Sequence, residues 1–290
     1  MPSHPSFVEK YLPYILIAPA LGYMLFFIGY PLIQAIYLAF TKNGALSLEN
    51  LDYLLHSSFS KFYEALTDTF LLVIVIIPIQ VAIALGLAML FNIKFKGRNV
   101  ALYSIILPLT ISDVAAGLIW YTMLSTNGFF NKLFINLGIT SEPIYFFGYQ
   151  FRQMEFLAIV ITEIWRATAI VFVIVFAGLQ MISQEHIEAA EVFGANVWQR
   201  LRYIVFPMLL PSLQAALIIR TLFAFQIFGV VWTLAGRDIP ILAGEAYYEQ
   251  VELKHQGVAA IYALVIAGIS VAIGYLYIKL FKAKYLEAGT

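Results

Sequence analysis

The sequence predicts an all-α polytopic membrane protein with six transmembrane helices, and three observations lead there. Of its 290 residues 62% are hydrophobic and only 12% charged, against about 25% charged in ordinary soluble domains. The mean hydropathy is +0.86, so lipid is the solvent for most of the chain. The apolar residues gather into long runs, and in lipid such runs are helical because every backbone N–H and C=O needs an internal partner. A net charge of zero removes the basic footprint of a nucleic-acid binder. The absence of cysteine excludes disulfides, thiolate catalysis and zinc–sulfur sites.

The expected spans cover about 14–40, 70–91, 100–125, 156–182, 207–235 and 258–281, within one transmembrane domain occupying 1–290. The first contains Ala-Pro-Ala at 18–20, but its apolar stretch runs on to Phe40, too long for a signal-peptide core. The second, "FLLVIVIIPIQVAIALGLAMLF", has no charge from Phe70 to Phe91; at 1.5 Å per residue it covers ~33 Å, enough for a bilayer core. Pro78, Pro108 and Pro211 fall inside the second, third and fifth spans. Each removes a hydrogen bond and favours a bend. An even number of spans puts both termini on one side.

Lysine and arginine placement gives the orientation. The N-terminus, the 92–99 turn, the 183–206 loop and the C-terminus hold nine basic residues, among them Lys94, Lys96, Arg98, Arg200 and Arg202. The longer opposite loops hold six. The short basic segments are therefore expected in the cytoplasm, with both termini, in a multi-pass protein of the cell membrane.

Between two of the most apolar runs stands "EAAEVFGANVWQRLRYIVFP", residues 188–207, with four charges. Ser183 is placed to cap a helix that begins with Glu185 in its first turn. Gly194 stands where a left-handed stop is needed. Asn196, with Gln199 three residues on, has the spacing of a capping box. The product is a short helix, a sharp turn and a second helix running to Pro207. Ala189, Ala190 and Gly194 would leave an open face of small residues, flanked by Glu188 and Glu191. As a surface feature this reads equally as an interfacial connector or a docking element. The chain has no Gly-Lys pair and hence no phosphate loop of the Gly-x-x-x-x-Gly-Lys type, so any ATP-driven work needs a partner's nucleotide site.

These residues resemble the EAA loop of ABC-transporter permease subunits: Glu188-Ala189-Ala190, then Gly194, Ile204 and Pro207. Phe206 replaces a leucine of that pattern, and Phe193 replaces an aspartate. The resemblance extends over about 12–283. "LIAPALGYMLFFIGYPLIQAIYLAFT" (16–41) is similar to the first span of maltose-type sugar permeases, and "RTLFAFQIFGVVWTLAGR" (220–237) to their fifth, with Phe228-Gly229 where the family has Phe-Asp. The resemblance implies a type I ABC importer permease fold and a permease subunit of a binding-protein-dependent sugar importer. That subunit is not itself an enzyme and binds no cofactor. Its implied partners are a second permease subunit in a heterodimer, two copies of a cytoplasmic ABC ATPase that bind ATP and Mg, an extracytoplasmic solute-binding protein and the lipid bilayer. No nucleic acid is implied. Glu188, Ala189, Ala190, Gly194 and Ala195 become the residues coupling to the ATPase, with 184–195 as the coupling helix.

Four charges lie in or near spans: Asp113, Glu163, Arg166 and Arg220. A charge at the bilayer centre costs about 2.5–3.5 kcal/mol on insertion scales, so each needs a partner or water. Glu163 and Arg166, three apart on a helix, can pair. These four, with Trp120, Tyr121 and Gln226, are the candidate substrate pathway. Trp165 is a further aromatic of interest. Alternative readings are an importer of a non-sugar polar solute or a stand-alone ion-coupled secondary transporter. The latter would show inverted repeats, and no persuasive repeat is visible. An intramembrane enzyme would rest on Asp113 with Glu163 alone. A topology reporter inserted at 196–198 should read cytoplasmic and one at 245–250 external; the reverse result would discard the arrangement.

Overall fold

The computed structural model describes residues 7–280, with side chains from Tyr11 to Lys279. Lys282, Lys284 and the last residue of the sixth expected span lie outside that range. In chain order the helices are α1 (Phe7–Met24), α2 (Tyr30–Ala39), α3 (Glu49–His56), α4 (Phe62–Asn92), α5 (Arg98–Ile106), α6 (Asp113–Leu124) and α7 (Phe129–Asn136). There follow α8 (Arg152–Gln180), α9 (Gln184–Val192), α10 (Val197–Arg200), α11 (Phe206–Phe225), α12 (Gly229–Leu234), α13 (Leu242–Tyr247) and α14 (Gln256–Leu280).

Among the described residues five helical stretches are long and apolar enough to cross a bilayer: Tyr11–Ala39, Phe62–Asn92, Tyr149–Gln180, Val197–Phe225 and Gln256–Lys279. The third expected span, 100–125, is not one rod. Arg98–Thr110 and Asp113–Asn136 meet at 106°, so the count reaches six only if this bent pair is one span. Pro108 sits in a 3-10 turn (Leu107–Thr110), and Ser112 then starts α6 afresh by accepting from the Ala115 N–H at 3.3 Å. The fifth expected span, 207–235, also differs. Its helix begins at Val197 and stops at Phe225, and residues 229–234 form the separate α12.

Two long helices pass through a π turn, and the cause is local. Leu25–Gly29 and Leu201–Val205 each end two residues before a proline, Pro31 and Pro207. A proline ring clashes with the carbonyl four residues back and donates no N–H. Widening the preceding turn reroutes the bonding: Tyr30 donates to the Leu25 carbonyl and Phe206 to that of Leu201. The helices continue instead of breaking.

The described chain divides into two compact units. One comprises 7–60 with 246–265. Its first span is unburied from Tyr11 to Leu38. An Asn43-Gly44 turn, with φ of 53° and 80°, closes a two-residue hairpin between Thr41–Lys42 and Ala45–Leu46, because both central positions of such a turn need positive φ. The Asn50 amide donates to the carbonyls of Leu38, Ala39 and Thr41 at 3.2–3.3 Å, terminating α2.

The other unit, 61–245 with 266–280, is centred on α8, which packs against α4, α11, α6 and α12. Lipid supplies no hydrophobic drive between helices, so close approach at small residues does the work. A Cβ on Gly178 of α8 would collide with Ser212 of α11, and one on Gly117 of α6 would lie 2.8 Å from the Thr233 Cβ of α12. Gly178→Ala should therefore lower the melting temperature of the purified protein, by overpacking of about 1–3 kcal/mol. Gly86→Ala, with no atom within 4 Å of the new Cβ, should leave it unchanged or raise it.

Candidate functional site

The second unit carries two features made of charge. The first is a ladder inside the helix bundle. Glu163 on α8 has no exposed side-chain surface and is gripped from both sides: Arg220 of α11 donates to its Oε2 at 2.7 Å and Arg166 to its Oε1 at 3.0 Å. Gln80 of α4, also fully buried, accepts from the Arg220 Nε at 2.7 Å and donates to the Glu163 backbone carbonyl at 2.8 Å. Arg166 reaches outward to Asp113, at the start of α6, at 2.8 Å. Two guanidinium groups thus balance two carboxylates. Exposure rises along the row, from a side chain 3% exposed at Arg220 through 16% at Arg166 to 44% at Asp113. At the open end Gly229 leaves room: a Cβ there would lie 2.7 Å from that of Asp113. The two interrupted helices, α5–α6 and α11–α12, therefore meet close to their interruptions.

The second feature is the segment after α8. Ser183 caps α9 through the Glu185 N–H at 3.3 Å. At its far end Ala195 donates to the Ala190 carbonyl and Gly194 to that of Glu191, both at 2.9 Å, with Gly194 at φ +80°. That is a left-handed helix stop satisfying otherwise orphaned carbonyls. Asn196 and Gln199 exchange side chain-to-backbone bonds at 2.9 and 2.8 Å, a full capping box. An ion pair between Glu191 and Arg200 ties α9 to α10. The result is a rigid knuckle whose second arm runs without a break through the π turn into α11, the helix that carries Arg220. A cleft of about 320 Å³, lined by Met89, Leu179, Ile182, Ile187, Leu201 and Val205, lies between the knuckle and the ends of α4 and α8.

The family described as "Binding-protein-dependent transport system inner membrane component" matches residues 53–283, a stretch that includes both the knuckle and the ladder. The chain belongs to this family. As such it is a multi-pass membrane protein of a transport system. The trehalose transport system permease protein SugA of Mycobacterium tuberculosis is 27% identical, over 95% of this chain and 90% of that protein. The trehalose/maltose transport system permease protein MalF of Thermococcus litoralis is 28% identical, over 79% of this chain and 78% of its own length. A crystal structure of a bacterial ABC transporter involved in import of the acidic polysaccharide alginate contains a chain of the same fold, with a TM-score of 0.83 at 20% identity, covering 96% of this chain and 97% of that one.

Within this family member, the residues expected from sequence fall into distinct places. Asp113, Glu163, Arg166 and Arg220 come together, and Asp113 joins the Glu163–Arg166 pair as a third member. Trp120 and Tyr121 do not join them. Trp120 is partly buried, stacked on Phe130 and edge-on to Trp165, both with ring centroids 5.9 Å away; Tyr121 lies 4.7 Å from Phe147. Gln226 is exposed where α11 ends. On the knuckle, Glu188, Ala189 and Gly194 are exposed and Ala195 partly so, but Ala190 is only 9% exposed. The expected face of small residues is narrower than its spacing implied, because Ala190 turns inward. Gln80 was missed, although it is the one polar residue among the apolar side chains of the 70–91 run.

The ladder gives a graded expectation. Glu163→Gln leaves Arg220 buried without a countercharge, a loss of about 3–5 kcal/mol, whereas Asp113→Asn removes a half-exposed partner worth about 0–1 kcal/mol. Thermal unfolding of the purified variants should show a large drop for the first and little for the second.

Proposed function

We propose that this chain is one permease subunit of an ATP-driven, solute-binding-protein-dependent ABC importer, and that its solute is a sugar. The sugar assignment is supported by the printed functions of the trehalose and trehalose/maltose permeases. The alginate transporter has also been solved in complex with a periplasmic protein bound to alginate pentasaccharide; its matched chain has a TM-score of 0.81 at 19% identity. In this reading a second permease chain completes the translocation pathway as a heterodimer. Two copies of a cytoplasmic ATPase bind the ATP and Mg, since this chain has no Gly-Lys phosphate loop. Both termini and the knuckle face the cytoplasm, and a solute-binding protein delivers sugar to the opposite face.

The observation that carries this reading is the knuckle of 184–200. It is held in shape by its own caps and ion pair and continues covalently into a span. Residues 184–195, with Glu188, Ala189, Ala190, Gly194 and Ala195, form the coupling element. ATP-driven closure of the ATPases displaces the knuckle, α11 follows, and access changes side. Nucleotide binding and pore opening are then reciprocally linked. Asp113, Arg166 and the inner members of the ladder line the sugar's route or hold its walls.

In proteoliposomes containing the complete transporter, Glu188→Lys and Gly194→Val should each reduce sugar uptake at least tenfold while membrane insertion stays normal. Gly194→Val strains the turn itself, because φ of +80° disfavours any side chain. Normal uptake with full stimulation of ATP hydrolysis by the binding protein would overturn the coupling role.

A further inference from the structure

We propose that the turn between α4 and α5 binds the phosphate of an anionic phospholipid, with Arg98 and Lys94 as the groups that hold it. The inference goes beyond the proposed function and needs only that the chain lies in a bilayer. From Thr69 to Ser112 the sequence has three cations, Lys94, Lys96 and Arg98, and no carboxylate. All three fall on this one turn, and no acidic residue stands in the first turn of α5 to offset them. Among the described residues no ion pair reaches any of the three. Beside the turn is a pocket of about 350 Å³ bounded by Lys94, Phe95, Gly97, Arg98, Asn99 and Val100. Of the knuckle's charges, Glu185, Glu188, Glu191, Arg200 and Arg202, none lines it.

The arginine is set in place before any ligand arrives. Its Nε donates to the Phe91 carbonyl at the end of α4 at 2.7 Å, and its guanidinium carbon lies 5.6 Å from the centroid of the Phe176 ring on α8. Neither terminal nitrogen has a partner among the described residues. A planar fork fixed at its inner edge and open at its outer one is matched to two phosphate oxygens. Lys94, a mobile point charge on the same pocket, adds a further contact. The general bias of lysine and arginine to one side of a membrane accounts for cations on this turn. It does not account for a guanidinium held at two points with its fork unused.

The surroundings distinguish a lipid phosphate from a dissolved one. Ile93, Phe95, Val100 and Tyr103, on the turn and the start of α5, are 64%, 40%, 72% and 73% exposed. Around a dissolved anion that apolar surface would stay wet; around a lipid it is covered by glycerol and acyl chain. Basic pockets at the ends of spans are a common seat of anionic headgroups. In the orientation proposed above, the lipid belongs to the inner leaflet.

The test uses the full chain, purified in a neutral detergent and offered phosphatidylglycerol, phosphatidylcholine or inorganic phosphate, with retained lipid counted by native mass spectrometry. Phosphatidylglycerol should be retained in preference to phosphatidylcholine, and Lys94→Gln and Arg98→Gln should each weaken that retention about fivefold. Lys94 makes no bond among the described residues, so its variant reads the contact without disturbing the fold. Lys132→Gln, whose lysine is exposed on α7 away from the turn, should change nothing. Equal retention of the two lipids, or a preference that survives Lys94→Gln and Arg98→Gln together, overturns the site. Displacement of phosphatidylglycerol by millimolar inorganic phosphate overturns the lipid as its ligand.

Discussion

A charge cannot be left alone in hydrocarbon, and the bundle is organised around the consequence. Glu163 sits where neither water nor lipid headgroups reach it, so two arginines from different positions must come to it. Gln80 closes the ring by bonding at once to Arg220 and to the backbone beside Glu163. Four helices are thereby held in one lateral register. Packing alone would not specify that register, since lipid-facing and protein-facing apolar side chains are chemically alike. The outermost member, Asp113, stands at the start of a helix that begins in mid-run, so the ladder also fixes where the chain may break.

The knuckle and the ladder are parts of one mechanical path. The knuckle's second arm, the wide turn before Pro207 and the helix bearing Arg220 are a single length of hydrogen-bonded backbone. In the proposed importer, displacement of the knuckle therefore acts on the guanidinium that holds Glu163. In the proposed importer this makes the ladder the place where nucleotide-driven movement meets the interior of the bundle.

Much of this was legible in the sequence because it depends on local chemistry. The stops and caps at Ser183, Gly194 and Asn196 are dictated by residues within three or four positions of each other. The pairing of Glu163 with Arg166 follows from helical spacing in the same way. What hydropathy concealed were the interruptions. A window average over 100–125 stays apolar across Pro108, although Ser112-Asp113 is an ordinary helix start embedded within it. Likewise the run to residue 235 hides the break before Gly229, whose lack of a side chain admits Asp113. Gln80 escaped attention because a neutral amide costs little on a hydropathy scale; its partner lies 140 positions away, at Arg220. The inward turn of Ala190 depends on how α9 sits against its neighbours, which spacing does not encode.

The two widened turns ahead of Pro31 and Pro207 have a bearing on ancestry. Each spends one residue more than an ordinary turn, so the faces presented before and after it are out of step by that one residue. Deleting a single position there would restore regular winding and leave the segment upstream aimed as before, because the wide turn absorbs the extra residue. A lineage can thus gain or lose one codon ahead of either proline without re-aiming the rod on either side of the turn.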